Sequence, residues 1–575
     1  MVQKARQFLA VNVTCKLPKQ KINIVIWMEK NIYIKEWLEL KPYEKQTVTD
    51  SYYLKLCNTV KHAIKTNKQS FVLQMYLDKG YINYLACFLT SYLEDIISET
   101  NIWNSFVRTH QRLYKKQLPF YILDEYYEEE INPQDISFLI WYFLNTVQEE
   151  KFIAPYNDFI VETSEKVMDV FDEVWDSAPE NEYLKLFYQM DENENDFYIT
   201  RNLIDTILFK SYLFYPDTLL KLREQEYKII EESKDEDNIM MFLNENRDNT
   251  LHKSYTRLLS LKGKEWASEI LGSKHPLSSD FLNISQRIRG FFLYKGQNDY
   301  DIFIEHIASG KKFELTKKSF NHSDTLKEID TILFMGIAHW KDDWWFSGVF
   351  FQQPFNPDLI LDEKNSFESR MSVNFLDHKK QDTNALLNQQ MEAFKDFNND
   401  SQIAFLPSDK IEGFYRDYIE FFNNSLNLSA KKKEEAKQRA RKDGFFGTEE
   451  EHKDFSEVSE TGLMFFNPKS GGEIALAVNS AFPLPNNPYF DEAYSEEHIM
   501  RLLMAEDLST ELVKYCIDNC ETELPFFNKG VGKMYLDDMD FLLRFWKKGN
   551  YHSIPSITYT GQEEKQSAGN KSYTQ

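Results

Sequence analysis

The stretch TILFMGIAHWKDDWWFSGVFF, residues 331–351, contains two apolar runs separated by a short polar turn. Residues 331–338 and 344–351 are rich in aromatic and β-branched side chains, which favour strands, and Lys341-Asp342-Asp343 supplies the turn. The pattern predicts a β-hairpin.

The second strand of this hairpin carries apolar side chains on both faces, because successive residues point to opposite sides. We therefore expect one face to line a barrel and the other to be covered by helices. The alternatives are a face for a protein partner, or a stacking platform for bases or sugars, which needs exposed rings. Trp340, one residue before the turn, is predicted to be partly exposed and is a candidate binding residue.

Three further strands are predicted nearby, at residues 289–294, 301–307 and 312–316, with Ser309-Gly310 as the turn between the last two. Five short antiparallel strands within residues 280–355 predict a small closed barrel of the SH3 or oligonucleotide-fold type.

The regions on either side of the barrel have other patterns. Residues 28–275 show helical periodicity, with Asp50 as a predicted N-cap and Asn132-Pro133 as a helix start. Residues 356–560 mix helices with a hairpin at Leu463 to Val478. The predicted fold class is an α+β multidomain protein: a large all-α N-terminal domain, a small antiparallel β-barrel and a mixed α/β C-terminal module.

Composition restricts the class of protein. The 575 residues carry a formal net charge of −24, which disfavours general nucleic-acid binding. Five scattered cysteines fit a reducing compartment, and the apolar runs are too short for membrane spans, so we expect a cytoplasmic protein without a membrane partner.

Both ends of the chain depart from this composition. Residues 1–27 hold five Lys or Arg and no acid, and they predict a mobile extension or a start codon read too early, with Met28 the true beginning. We expect their removal to leave thermal stability unchanged. The polar tail, residues 561–575, is predicted to be disordered.

Two charged clusters are candidate sites. Asp537, Asp538 and Asp540 resemble an acidic metal box suited to general-base chemistry, although acids also favour the first turn of a helix. Residues 431–442 carry seven basic side chains, which suggest either a nucleic-acid contact or a solvated helix balanced by the acidic residues 448–460. We favour the solvated helix. The basic candidates are Lys431, Lys432, Lys433, Arg439 and Arg441.

Other motifs are incomplete. Residues 191–202 resemble a calcium loop, but Asp196 and Asn202 stand where that loop needs Gly and Glu. Residues 527–534 resemble a phosphate loop without its first Gly or its final Ser or Thr. Cys516 and Cys520 lack a second ligand pair for zinc. We predict no cofactor and no bound metal.

Several long stretches resemble the domain-of-unknown-function family 3843 of gut Bacteroidota. They are IYIKEWLELKPYEKQTVTDSYYLKLCN (32–58), SYLFYPDTLL (211–220), FFNPKSGGEIALAVNSAFP (465–483) and YLDDMDFLLRFWKKGNYHSIPSITYTG (535–561). The resemblance extends over most of the chain from Met28 onward. It implies a bacterial cytoplasmic protein and implies no particular activity.

Three functions remain open at this stage. The leading hypothesis is a non-catalytic interaction or scaffold protein with a protein partner, because no strong catalytic motif occurs in the sequence. The first alternative is a metal-dependent hydrolase that uses the clustered carboxylates. The second alternative is a nucleic-acid-associated factor that uses the barrel and the basic run.

Overall fold

The computed structural model describes residues 31–121, 123, 125–148, 152–233, 239–366, 369, 380–443 and 454–552. The predicted extension at 1–27 and the predicted tail at 561–575 lie outside these residues. The chain divides into two compact units. The first comprises Met1–Glu305 with Lys312–Pro354, and the second comprises His306–Lys311 with Phe355–Gln575.

The first unit begins with a helical region, as predicted. Its helices are α1 Ile34–Leu38, α2 Asp50–Thr66, α3 Ser70–Tyr76, α4 Lys79–Ile97, α5 Ile102–Tyr114, α6 Pro133–Val147, α7 Asp158–Asp172, α8 Glu182–Leu186, α9 Phe197–Lys210, α10 Leu220–Glu232, α11 Ile239–Lys253, α12 Gly263–Leu271 and α13 Ser278–Asn283.

Helix α6 lies at the centre of this region. Pro133 occupies its first turn, where no intrahelical N–H is needed, and the apolar run 138–144 is buried all round the helix. Phe138 stacks on Phe106 at 5.1 Å, and Trp141 contacts Phe120 at 4.8 Å. Aromatic side chains therefore fill the helical core, which accounts for much of the aromatic content.

Five strands follow and form a closed barrel in the order β1-β2-β3-β5-β4. They are β1 Ile288–Gln297, β2 Asp301–His306, β3 Lys312–Thr316, β4 Ile332–Trp340 and β5 Asp343–Gln353. The barrel prediction is confirmed. The expectation that every pair is antiparallel is wrong, because β3 meets β5 in parallel at Leu315 and Trp344. Turn chemistry reveals only consecutive hairpins, whereas this pairing closes the barrel between non-consecutive strands.

The second unit contains the mixed α/β region. Its strands β6 Ile403–Pro407, β7 Thr461–Asn467 and β8 Gly471–Leu476 form an antiparallel sheet in that order. Its helices are α14 Pro357–Asn365, α15 Lys380–Phe397, α16 Ile411–Ser425, α17 Ala430–Asp443, α18 Ser495–Met504, α19 Thr510–Cys520, α20 Pro525–Asn528 and α21 Met539–Trp546. Phe394, Tyr418 and Phe466 pack together in its core.

Candidate functional site

The two faces of β5 have different neighbours. Trp344 points to the inside of the barrel, where its ring lies 4.9 Å from Phe313, and it is only half-buried at the barrel end. Trp345 points outward and is 4 % exposed, because Phe197 and Tyr198 of α9 cover it at 6.1 and 6.0 Å. The helices thus cover the beginning of the outer face of β5.

Trp340 is buried, so its predicted partial exposure is wrong. It is 1 % exposed, its indole N–H donates to the carbonyl of Asn195 at 3.2 Å, and its ring packs on Phe281 of α13 at 5.7 Å. Lys341 in the turn also donates to the carbonyl of Glu194 at 2.7 Å. The acidic loop that resembled a calcium site therefore covers the β4–β5 turn.

Arg287, just before β1, fixes α11 against the barrel. Its guanidinium forms a bidentate pair with Glu245 at 2.8 and 2.7 Å and donates to the carbonyl of Ser347 at 3.0 Å. A Cβ atom at Gly336 or Gly348 would overlap this guanidinium, and Gly348 has a φ of +90° that favours glycine. The two glycines thus provide the space that the buried arginine occupies.

Asp248, one helical turn after Glu245, completes this ionic cluster. It pairs with Arg201 at 2.6 Å and Arg287 at 3.2 Å, and it accepts a hydrogen bond from the Ser347 hydroxyl. Burial raises the pKa of its carboxyl, but the positive charges, Arg201 foremost, outweigh burial and hold that pKa below its ordinary value. The cluster is ionised and internally paired, which indicates a structural role.

The far half of the same outer face is open and aromatic. Phe291 of β1, Phe334 of β4 and Phe351 of β5 are cross-strand neighbours, with ring centroids 5.0 and 6.2 Å apart. Phe351 is 41 % exposed, and the other two rings are half-buried. We call these three residues the aromatic row.

Arg289 and helix α11 lie next to the aromatic row. Arg289 lies 4.7 Å from the Phe334 ring and pairs with Glu245 at 2.7 Å. Helix α11 runs opposite to β5, because Asp248 meets Ser347 while Glu245 accepts from the Val349 amide. The preceding turn of α11, toward the end of β5, carries the exposed Phe242.

Buried carboxylates in the helical region are held by specific partners. Glu94 pairs with Lys41, and Asp95 accepts from the Trp103 amide at 2.7 Å and the Tyr212 hydroxyl at 2.8 Å. Asp135 accepts from the Tyr92 hydroxyl at 2.7 Å, and burial raises its pKa to about 7. These contacts satisfy groups inside a packed core and form no open site.

The predicted acidic candidates do not converge. Asp537 is exposed and Asp538 is buried, both in a short 3₁₀ helix, Val531–Asp538. Asp540 in α21 pairs with Arg544 at 3.1 Å and accepts from the Tyr551 hydroxyl at 2.6 Å. Within the ranges that the structure describes, no group of three or more His, Cys, Asp or Glu is arranged to hold a metal ion.

The predicted basic candidates lie on α17. Lys431 and Lys432 are exposed, whereas Lys433, Arg439 and Arg441 are half-buried. Lys433 donates to the Asn424 amide oxygen at 3.1 Å. The acidic residues 448–453, which were expected to balance this charge, lie outside the described residues.

The aromatic row and the ionic cluster were missed by sequence reasoning. The only local signal for the cluster was a pair of glycines, Gly336 and Gly348, that interrupt the apolar strands β4 and β5. The partners Glu245 and Asp248 lie about 40 residues earlier on a polar helix, and nothing local marks them. Only the register of β1, β4 and β5 brings the three rings together.

Residues 31–293 match the family model described as "Protein of unknown function (DUF3843)". The match supports the resemblance, and it covers the helical region and the beginning of β1. The similar stretches at 465–483 and 535–561 lie outside the matched range. No curated protein and no solved structure matches the chain. Among the described residues, no helix combines the length and apolar character needed to cross a membrane.

Proposed function

We propose that the protein is a non-catalytic cytoplasmic interaction protein that binds a protein partner on the aromatic row. The observation that carries this proposal is a row of adjacent rings on three paired strands, of which Phe351 is exposed and the other two are half-buried, while the same face is tightly covered a few residues away. Contiguous exposed apolar surface on a folded protein often marks an interaction site. Aromatic side chains are also enriched at the centres of protein interfaces.

The charge of the chain favours a basic partner. With a net charge of −24, the protein attracts cationic segments and repels acidic ones over most of its surface. We therefore expect the partner to present a few apolar side chains, which pack on the aromatic row, with Lys or Arg on either side. Arg289 shares Glu245 with Arg287 and therefore keeps part of its positive charge, so we expect the basic residues of the partner to lie away from Arg289.

The two alternative functions, a nucleic-acid-associated factor and a metal-dependent hydrolase, have less support. Bases stack on exposed rings, but a nucleic acid also needs cations for its phosphates, and the arginine at the row is paired with Glu245. Binding of generic DNA or RNA at physiological salt would overturn the interaction proposal if it depended on Phe334. A metal-dependent hydrolase is favoured by no observation on Asp537, Asp538 or Asp540.

Selection from a displayed library of random 16-residue peptides tests the proposal. We expect enriched peptides to combine aromatic or aliphatic residues with Lys or Arg, and to lose at least about tenfold in affinity for the Phe334→Glu variant. That substitution places a charge among the rings without touching Arg287.

Tyr300→Glu is the matched control, because Tyr300 is 77 % exposed on the same barrel but lies between β1 and β2. Peptide binding should be the same in this variant as in the unaltered protein. Failure to enrich any peptide, or binding that Phe334→Glu leaves unchanged, would overturn the proposal.

A further inference from the structure

A cavity of about 140 Å³ lies in the first unit, apart from the aromatic row. Side chains from α9, α11 and α12 line it, together with the segment that leads into β1. Its lining is amphiphilic. Ile204, Leu251 and Ile284 contribute apolar side chains to it, and Lys262 and Lys264 contribute basic ones.

The two lysines differ in how their charges are satisfied. Lys264 donates to the carbonyls of Leu282 and Ile284 at 2.8 and 2.6 Å, so two of its three N–H groups are used. The Lys262 ammonium makes no hydrogen bond or ion pair with any described residue, and it lies 4.9 Å from the centre of the Tyr255 ring. Burial lowers the pKa of both lysines.

The carboxylate of Glu265 attracts both ammonium groups and partly offsets the effect of burial on their pKa values, but it forms no ion pair with either. Glu265 accepts from the backbone N–H of Lys262 at 2.7 Å, which caps the beginning of α12 rather than pairing with the ammonium. His252 also lines the cavity, and burial lowers its pKa to about 4, so it is neutral near pH 7. A half-buried cation without an ion-pair partner thus lines the cavity, and its ammonium group is available to an anion that enters.

The size and the apolar wall restrict the class of anion. An apolar cavity of about 150 Å³ holds a molecule the size of benzene, with about six non-hydrogen atoms. Inorganic phosphate would need donors on all sides, but Ile204, Leu251 and Ile284 offer none, and the two carbonyls beside Lys264 repel a dianion. A carboxylate with a short alkyl chain satisfies both parts of the lining.

We infer that this cavity binds a short aliphatic carboxylate, with its carboxylate on Lys262 and its alkyl chain against Ile204, Leu251 and Ile284. Gln286 and Ser285 also line the cavity and contribute polar groups to it. This site is independent of the aromatic row, and its failure would leave the proposed interaction surface unaffected.

Isothermal titration of the full chain with sodium acetate, propionate, butyrate and valerate tests the inference. We expect saturable binding whose affinity rises about fourfold per methylene group until the chain exceeds the cavity. Butyramide keeps the shape of butyrate without the charge, and we expect it to bind at least about tenfold more weakly. Inorganic phosphate should not compete with butyrate.

Lys262→Met removes the ammonium and keeps the length of the side chain. We expect it to weaken butyrate binding at least about tenfold. The control is Lys221→Met on the exposed face of α10, which should bind like the unaltered protein. If Lys262→Met fails to fold by circular dichroism, Lys262→Gln replaces it. Equal binding of butyrate and butyramide, tighter binding of phosphate, or no saturable binding of any carboxylate would overturn the inference.

Discussion

The outer face of β5 is covered at one end and open at the other. At the covered end Trp345 and Ser347 lie beneath α9 and α11, and Arg287 joins Glu245 and Asp248 in a buried ionic cluster. At the open end Phe351 is exposed beside Phe334. The same alternation of side chains thus forms internal core in one place and protein surface in the other.

This difference shows what decides the role of a strand face. Each end carries a large aromatic ring, Trp345 at one and Phe351 at the other, so composition does not separate them. What separates them is the position of α9, which covers Trp345, and of α11, which the Arg287 cluster joins to the strand at Ser347. If the ionic cluster positions α11, then disrupting the cluster should lower the unfolding free energy far more than any change at the open end.

The largest effect is expected for Arg287→Met. It leaves Glu245 and Asp248 buried with less counter-charge, and breaking such a buried pair costs about 3–5 kcal/mol of unfolding free energy. Arg289→Met is the matched control, because Arg289 pairs with the same Glu245 but its side chain is 49 % exposed. The control should cost about 1 kcal/mol or less. Urea unfolding followed by circular dichroism measures both, and equal costs would contradict the role of Arg287.

The tryptophans of the hairpin give the next contrast. Trp340→Ala removes a fully buried ring and should cost about 3–5 kcal/mol, whereas Trp344→Ala removes a half-buried ring and should cost about half as much. Circular dichroism is the suitable probe, since the substitutions also remove fluorophores. A smaller loss of unfolding free energy for Trp340→Ala than for Trp344→Ala would mean that the 191–196 loop does not cover the turn.

The stability of the covered end should also depend on pH, through the protonation of His252. Its pKa is lowered to about 4 in the folded chain, against an ordinary value of 6.5, so the unfolded chain binds the proton more tightly. The contribution of neutral His252 to the unfolding free energy is therefore complete above about pH 6.5. It is lost as the pH falls toward about 4, by up to roughly 3 kcal/mol. The difference in unfolding free energy between the unaltered protein and His252→Gln should shrink over that range. A difference independent of pH would show that His252 titrates alike in both states.

The smallest effect is expected at the open end. Phe351→Ala removes a ring that already contacts water, so it should change the unfolding free energy by about 1 kcal/mol or less. The measurement is the same urea titration. A cost similar to that of Trp340→Ala would mean that the aromatic row is part of the core.

Much of the barrel could be predicted from local sequence, because turns and apolar runs determine hairpins directly. The prediction for β3 agrees at both ends, and those for β2 and β5 agree within one or two residues. The parallel contact of β3 with β5 could not be predicted, since it depends on how the barrel closes. The exposure of Trp340 was mispredicted because the covering residue, Asn195, lies 145 positions away.

The candidate sites were harder to predict than the fold. The three acids Asp537, Asp538 and Asp540 were predicted as a site because they lie close together in sequence, yet each has different surroundings in the folded chain. Neither Lys262 nor Lys264 was predicted as a site residue, because two lysines near a helix start are typical of exposed surfaces. Their significance depends on a cavity whose walls come from α9, α11 and the segment before β1.

Thiol labelling of the native protein tests the contrast between the two ends most directly. Ser347→Cys and Phe351→Cys place a thiol on the same face of the same strand, at 1 % and 41 % exposure in the unaltered protein. Cys57, Cys87, Cys516 and Cys520 are buried, and Cys15→Ser removes the remaining native cysteine. We predict that the Phe351→Cys thiol reacts with Ellman's reagent at least about a hundredfold faster than the Ser347→Cys thiol, which must wait for local opening. Similar rates at the two positions would contradict the account.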